Sequence, residues 1–230
     1  MDLKSRSCLR ALGARTDLAS PLQSILDCMK RIVATLVALG LLASAPVRLL
    51  DGQSPAGSEA RIRELKEMLH LAILPKESGY LGLIGESAQK VSIDGRPLAV
   101  QSQVYYMLTR DRPVNYLHWL APDDTHILIE GGPVDYFIFH PDGRAEKVVL
   151  GRDVTKGEQP VVAVPGGCWK ALRLHDNADY ALMANALSPE FTPDRVRIGA
   201  GEAWIKRFAG SAPWATPEML RSLIGPNWKP

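Results

Sequence analysis

Only three cysteines occur in 230 residues, and two of them, Cys8 and Cys28, precede the region that reads as folded. Cys168 alone cannot close an internal disulfide, and no cysteine spacing suits a structural metal site. Its default role is that of a small buried residue. Long runs of one charge are missing as well. Lys and Arg number 27 against 25 Asp and Glu; residues 1–45 hold six and three of these, which leaves 21 and 22 for the rest. So neutral a body lacks the basic stripe that a phosphate backbone requires, and nucleic acid is excluded as an expected partner. Neither a glycine-rich dinucleotide fingerprint nor a phosphate loop is present, and nothing repeats at a long fixed period. The longest apolar stretch, Ile32 to Leu42, falls well short of the ~20 residues of a membrane helix. No stable membrane span is expected once that segment is removed.

What is there begins with the amino-terminal order. Met29-Lys30-Arg31 is basic, Ile32 to Leu42 is apolar, and Ala43-Ser44-Ala45 is a run of small residues. Basic, apolar, small is the order of a signal peptide over 29–45, predicting export and a secreted or periplasmic location. Pro46 disfavours cleavage directly after Ala45. Residues 1–28 precede a second plausible start at Met29 and read as an over-extended frame. Their Arg and Ser content also suits an organelle transit peptide, against which Asp2, Asp17 and Asp27 count. Residues 46–58, rich in Pro, Gly and Ser, read as a linker to a single domain over 59–230.

The spacing of Ile62, Leu65, Met68, Leu69 and Ala72 predicts a helix over about 59–71. After Pro75 the texture changes to short apolar runs separated by turn signals such as Asp94-Gly95, Gly131-Gly132-Pro133, Pro141-Asp142-Gly143 and Pro165-Gly166-Gly167. Strands are predicted at 89–93, 102–108, 114–120, 125–130, 134–139, 145–150, 160–164, 169–174, 180–187 and 195–198. Many short strands at even spacing indicate a β-sandwich or barrel. Two short helices close the chain. One covers about 201–208, and the other opens at Thr216-Pro217, an N-cap followed by proline at the first helical position.

Three segments in order resemble the cupin-5 family, a domain of unknown function among the RmlC-like cupins, relatives of sugar-nucleotide epimerases. They are Lys76-Glu77-Ser78-Gly79-Tyr80, then His118-Trp119 continuing through Asp123-Asp124 and His126-Ile127 to Gly131, then Pro165-Gly166-Gly167-Cys168-Trp169. The resemblance runs from about Leu65 to Phe208. It implies a mainly β fold, a double-stranded β-helix or jelly-roll barrel with an opening helix and short closing helices. It also implies a homodimer and a small-molecule cavity inside each barrel. Departures cluster where the chemistry would lie: Trp119 stands for the family's Arg, Asp124 for its Glu, and a histidine sits one residue early at His126. Along a strand that shift changes the face occupied, so His126 is expected to reach the interior only through a bulge.

Three chemistries compete for the cavity. General cupin metal positions correspond to Tyr116, His118, Asp124 and Lys170, so two of four ligands remain; no metal and no other cofactor is expected. His118 with Asp124, or with Glu77, could form a catalytic acid/base pair for isomerisation or epimerisation, with a tyrosine as acid. Glu77, Tyr80, His118 and Trp169 are the expected ligand-binding residues, Trp169 by stacking on a ring. The bland alternatives are a hydrogen-bonded barrel histidine, a solvated Asp123-Asp124 turn and tryptophans that fill the core. A module binding a small polar or sugar-like ligand is the expected function, with the isomerase-type enzyme as alternative and a metal-dependent oxygenase third.

Overall fold

The computed structural model describes residues 55–230, so the proposed leader, signal peptide and most of the linker lie outside the described residues. The first helix, α1 (Pro55–Met68), begins inside the segment read as linker. Pro55 suits a helix start, where its fixed φ matches and its missing N–H is not needed. The helix ends before His70, which takes a left-handed φ of 51°. Leu65 is its most deeply buried apolar residue, and Ile62 packs beside it.

Thirteen strands follow: β1 (Ala72–Ile73), β2 (Tyr80–Glu86), β3 (Lys90–Ile93), β4 (Arg96–Ala99), β5 (Ser102–Thr109), β6 (Val114–Leu120), β7 (Asp123–Gly131), β8 (Val134–Phe139), β9 (Ala145–Leu150), β10 (Val161–Val164), β11 (Trp169–Leu174), β12 (Tyr180–Ser188) and β13 (Val196–Ile198). Two antiparallel sheets make the barrel, one in the order β1-β2-β5-β12-β7-β10 and the other β13-β6-β11-β8-β9, with β3-β4 as a separate hairpin. This is the expected jelly-roll arrangement. The strands read from the sequence are present, and β1, β2 and β4 are additional.

Alternation along each strand sorts side chains into three layers. On β8, Val134, Tyr136 and Ile138 face the interior between the sheets, where they meet Leu108, Leu172 and Met183. Phe137 and Phe139 face the other way, under α2 (Glu202–Phe208) and α3 (Pro217–Ile224). Those helices cover the outer face of the five-stranded sheet with Trp204, Phe208, Leu220 and Leu223. The helix α1 does the same for the six-stranded sheet, over Tyr80, Met107, Tyr180 and Leu182. Each fully buried large apolar side chain here contributes about 1.5–3 kcal/mol. Thr216 caps α3 as expected, its hydroxyl accepting from the Met219 N–H at 3.2 Å. Among the described residues no helix is long and apolar enough to cross a membrane.

Candidate functional site

The interior between the sheets is filled at one end and open at the other, leaving a cavity of about 470 Å³. Its walls are mostly apolar: Leu74, Leu81, Leu83, Val104, Leu120 and Leu187. Its polar floor is built from β5, β6, β7 and β12 by Tyr106, Asn115, His118, Asp124, His126 and Asn185, and Glu77 enters from the loop between β1 and β2. A volume of this size with few convergent polar groups is that of a small-molecule site.

Strand β6 supplies Asn115 and His118 to the same face although they are three residues apart. A bulge explains it. Lys170 of β11 pairs with His118, and Leu172 pairs with Asn115, so β6 carries one extra residue across from β11. The displaced residues turn outward. Leu117 packs in the layer beneath α2 and α3, and a side chain at Gly225 would collide with the Tyr116 ring. Tyr116 is therefore not a wall of the cavity, which removes the first of the inferred metal positions.

His118 is 3 % exposed. Its Nδ1 lies 2.9 Å from the Tyr116 carbonyl oxygen, an acceptor, so Nδ1 carries the proton and Nε2 keeps its lone pair. The Glu77 carboxylate stands 3.7 Å from the same Nδ1. Burial lowers the His118 pKa; the Glu77 charge opposes that fall, and nearby Lys170 adds to it. Of the two carboxylates expected beside His118, Glu77 is the one that stands next to the ring.

Asp124 lines the same cavity but has a different partner. Its carboxylate is in ion-pair contact with the Lys170 ammonium, with side chains 1 % and 2 % exposed. Burial draws Lys170 down to about 7, while the Glu77 carboxylate opposes the shift; contact with Asp124 likewise favours the charged form. His126 also lines the cavity, its Nε2 3.9 Å from Asp124 and hydrogen-bonded to the Asn185 amide nitrogen. Burial, with some contribution from His118, holds His126 down at about 3. From Asp124 to Leu128 the strand alternates without interruption and turns His126 inward; the bulge of β7 lies beyond it, between Leu128 and Glu130. Asp124 and His126 are two residues apart on β7 and so share a face, while Ile127 is 43 % exposed.

The residues expected in the site, catalytic and ligand-binding together, are thus divided. Glu77, His118 and Asp124 come together, whereas Tyr80 and Trp169 lie outside the cavity. Tyr80 faces α1 from the outer side of β2, its hydroxyl donating to Asp111 at 2.8 Å and its ring beneath Lys66. Trp169 precedes Lys170 on β11; because Lys170 points in, Trp169 points out, and it packs edge-on against Trp204 at 6.2 Å. Reading the sequence missed Asn115, Asn185 and the role of Lys170. Asn185 had a visible signal, as the one amide in the apolar run Ala181 to Leu187.

A metal of the kind cupin barrels often hold does not fit these residues. Tyr116 is turned away, the Lys170 ammonium takes up Asp124, and His126 is engaged by Asn185. Among the described residues no group of three or more His, Cys, Asp or Glu side chains is arranged to hold a metal ion.

Comparison with known proteins places these features. The chain is 31 % identical over 110 residues to YML079W of Saccharomyces cerevisiae, covering 46 % of this chain and 54 % of that one. It thus spans about half the length of this curated relative. A hypothetical protein from Leishmania major superposes with a TM-score of 0.54 at 26 % identity, over 59 % of this chain and 85 % of that one. Protein SO0799 from Shewanella oneidensis superposes with a TM-score of 0.58 at 22 % identity, over 73 % and 96 %. The likeness to the Shewanella protein concerns the fold alone. Residues 63–198 match Cupin_5, described as Cupin superfamily (DUF985), and the chain belongs to that family.

Proposed function

We propose that this cupin is a binding protein for a small molecule with an apolar body and a polar head. The carrying observation is the cavity of about 470 Å³, with leucine and valine walls and a floor of buried polar side chains. Burying several polar groups together is costly unless they are paired or meet a ligand. A polyhydroxylated sugar suits these walls less well than an amphiphilic molecule, since neither Trp169 nor any other tryptophan lines the cavity to stack on a ring. Mass spectrometry of small molecules released from natively purified protein tests the reading. A compound bound at one per chain, and lost when Leu120→Trp fills the cavity, supports it; no compound in any preparation counts against it.

An isomerase-type enzyme is the second reading, favoured by one observation. His118 presents an unprotonated Nε2 in a site where burial keeps the ring neutral, the state a general base needs. Turnover of the released compound by the native protein, abolished in His118→Gln, would select it.

Export and homodimerisation belong to the same proposal. Export rests on the order of residues in 29–45, and amino-terminal sequencing of protein from its native host tests it: retention of Met1 counts against cleavage. Homodimerisation rests on the family resemblance and on the edge position of β10 in its sheet. A monomer mass by sedimentation would remove it.

A further inference from the structure

We infer that the polar head of the ligand is a protonated amine, and that Glu77 is the group that recognises it; the inference rests on the cavity being a ligand site. Four carboxylates line the cavity; one has its own cation and two share another. Asp124 contacts Lys170. Glu86 and Glu190 lie near Lys90, at 4.0 and 3.9 Å, and Glu190 also accepts from the Ala99 N–H at 2.5 Å.

Glu77 differs. Among the described residues its carboxylate makes no hydrogen bond, and the one basic group within 4 Å is His118 at 3.7 Å. That ring directs its Nδ1 proton to the Tyr116 carbonyl at 2.9 Å and is kept neutral by burial. It therefore brings no positive charge to Glu77. The side chain of Glu77 is only 16 % exposed, among apolar walls that do little to screen it. Its charge reaches across the floor, raising Tyr106 after burial has done so and opposing the fall of both His118 and Lys170.

The neighbouring atoms offer acceptors rather than donors. His118 keeps a lone pair on Nε2, as its Nδ1 proton is used. The amide nitrogen of Asn115 is directed to the Glu77 carbonyl at 3.3 Å, leaving the amide oxygen as an acceptor. An alkylammonium has three N–H donors and no acceptor, the complement of this set. A carboxylate head would meet Glu77 with like charge, and the Lys170 ammonium already has the Asp124 carboxylate beside it.

Three probes of similar shape test this on the full chain: 2-phenylethylamine, 2-phenylethanol and 3-phenylpropanoate, titrated by ligand-observed NMR. The amine should bind about tenfold tighter than the alcohol, with the carboxylate weakest. Glu77→Gln should bring amine and alcohol to similar affinity, and Glu77→Asp should retain a preference for the amine. Equal binding of amine and alcohol by the native protein overturns the inference and leaves the ligand site standing. So does an amine preference that survives in a folded Glu77→Gln variant. If no probe binds to protein with a native melting transition, the inference and the ligand-site reading fall together.

Discussion

The Lys170 ammonium and the Asp124 carboxylate meet inside the barrel, where neither side chain is more than 2 % exposed. They come from opposite sheets, Lys170 on β11 and Asp124 on β7, so the contact bridges the two layers. Desolvating both charges offsets much of their attraction, yet an unpaired survivor would be worse. Lys170→Met alone should cost about 3–5 kcal/mol by leaving a buried carboxylate without its cation. Adding Asp124→Leu should recover most of that loss. Urea denaturation of both variants measures it, and a double variant no more stable than Lys170→Met would show that the pair is not coupled in this way.

Much of the barrel was legible because strand periodicity and turn chemistry are local. The runs 114–120, 134–139, 145–150 and 169–174 coincide with β6, β8, β9 and β11. Strand β2 was not legible, since Gly82 and Gly85 read as breaks. Gly82 is there because a Cβ at that position would lie 2.5 Å from the Leu69 carbonyl oxygen, where the chain leaving α1 crosses the strand. The site was half legible. Glu77, His118 and Asp124 followed from the family motifs, whereas the facing of the other side chains follows from strand alternation. Trp169 and Lys170 are neighbours on one strand and cannot both point inward, whereas Asp124 and His126 must point the same way. The bulge in β6 had no sequence signal and decides that Asn115, not Tyr116, shares the cavity with His118.

Trp169 supplies a second prediction, the reverse of what a stacking residue would do. Its ring belongs to the layer with Trp204, Phe137 and Phe139, outside the cavity. Trp169→Ala should lower stability by about 2–3 kcal/mol, somewhat less than for a fully buried aromatic. Binding of 2-phenylethanol should stay within about twofold, since no wall is removed. A large loss of binding at unchanged melting temperature would return Trp169 to the cavity.

The tautomer of His118 is directly observable. With Nδ1 donating to the Tyr116 carbonyl, nitrogen-15 NMR should find Nδ1 protonated and Nε2 bare at neutral pH. Because burial depresses its pKa, the ring should titrate below the ordinary histidine range. Glu77→Gln removes the charge that opposes this depression, so the His118 midpoint should fall further. A midpoint that rises in Glu77→Gln would mean that Glu77 does not act on this ring.

Acid should destabilise the fold earlier than its carboxylates require. His126 is held at about 3 in the folded chain against an ordinary 6.5, so between those values the unfolded chain binds a proton that the folded chain refuses. Its contribution to stability is therefore whole above about 6.5 and declines as pH falls, by about 1.4 kcal/mol per unit once well inside the window. His118, also lowered, adds to the same trend near its upper end. Lys170, drawn down to about 7, is protonated in both states once the pH is about a unit lower and contributes little slope below that. Glu130, kept at about 2 mainly by its hydrogen bond to Arg61, loses its contribution as pH falls from the ordinary 4.5 toward 2. From about pH 6.5 to about pH 5, then, the buried histidines should dominate, and His126 alone should cost about 2 kcal/mol. His126→Gln keeps a hydrogen-bonding group beside Asn185 but cannot take up the proton. Urea midpoints measured across this range should fall steeply for the native chain and distinctly less for the variant. Parallel profiles for the two proteins would place the acid-sensitive group somewhere other than the cavity floor.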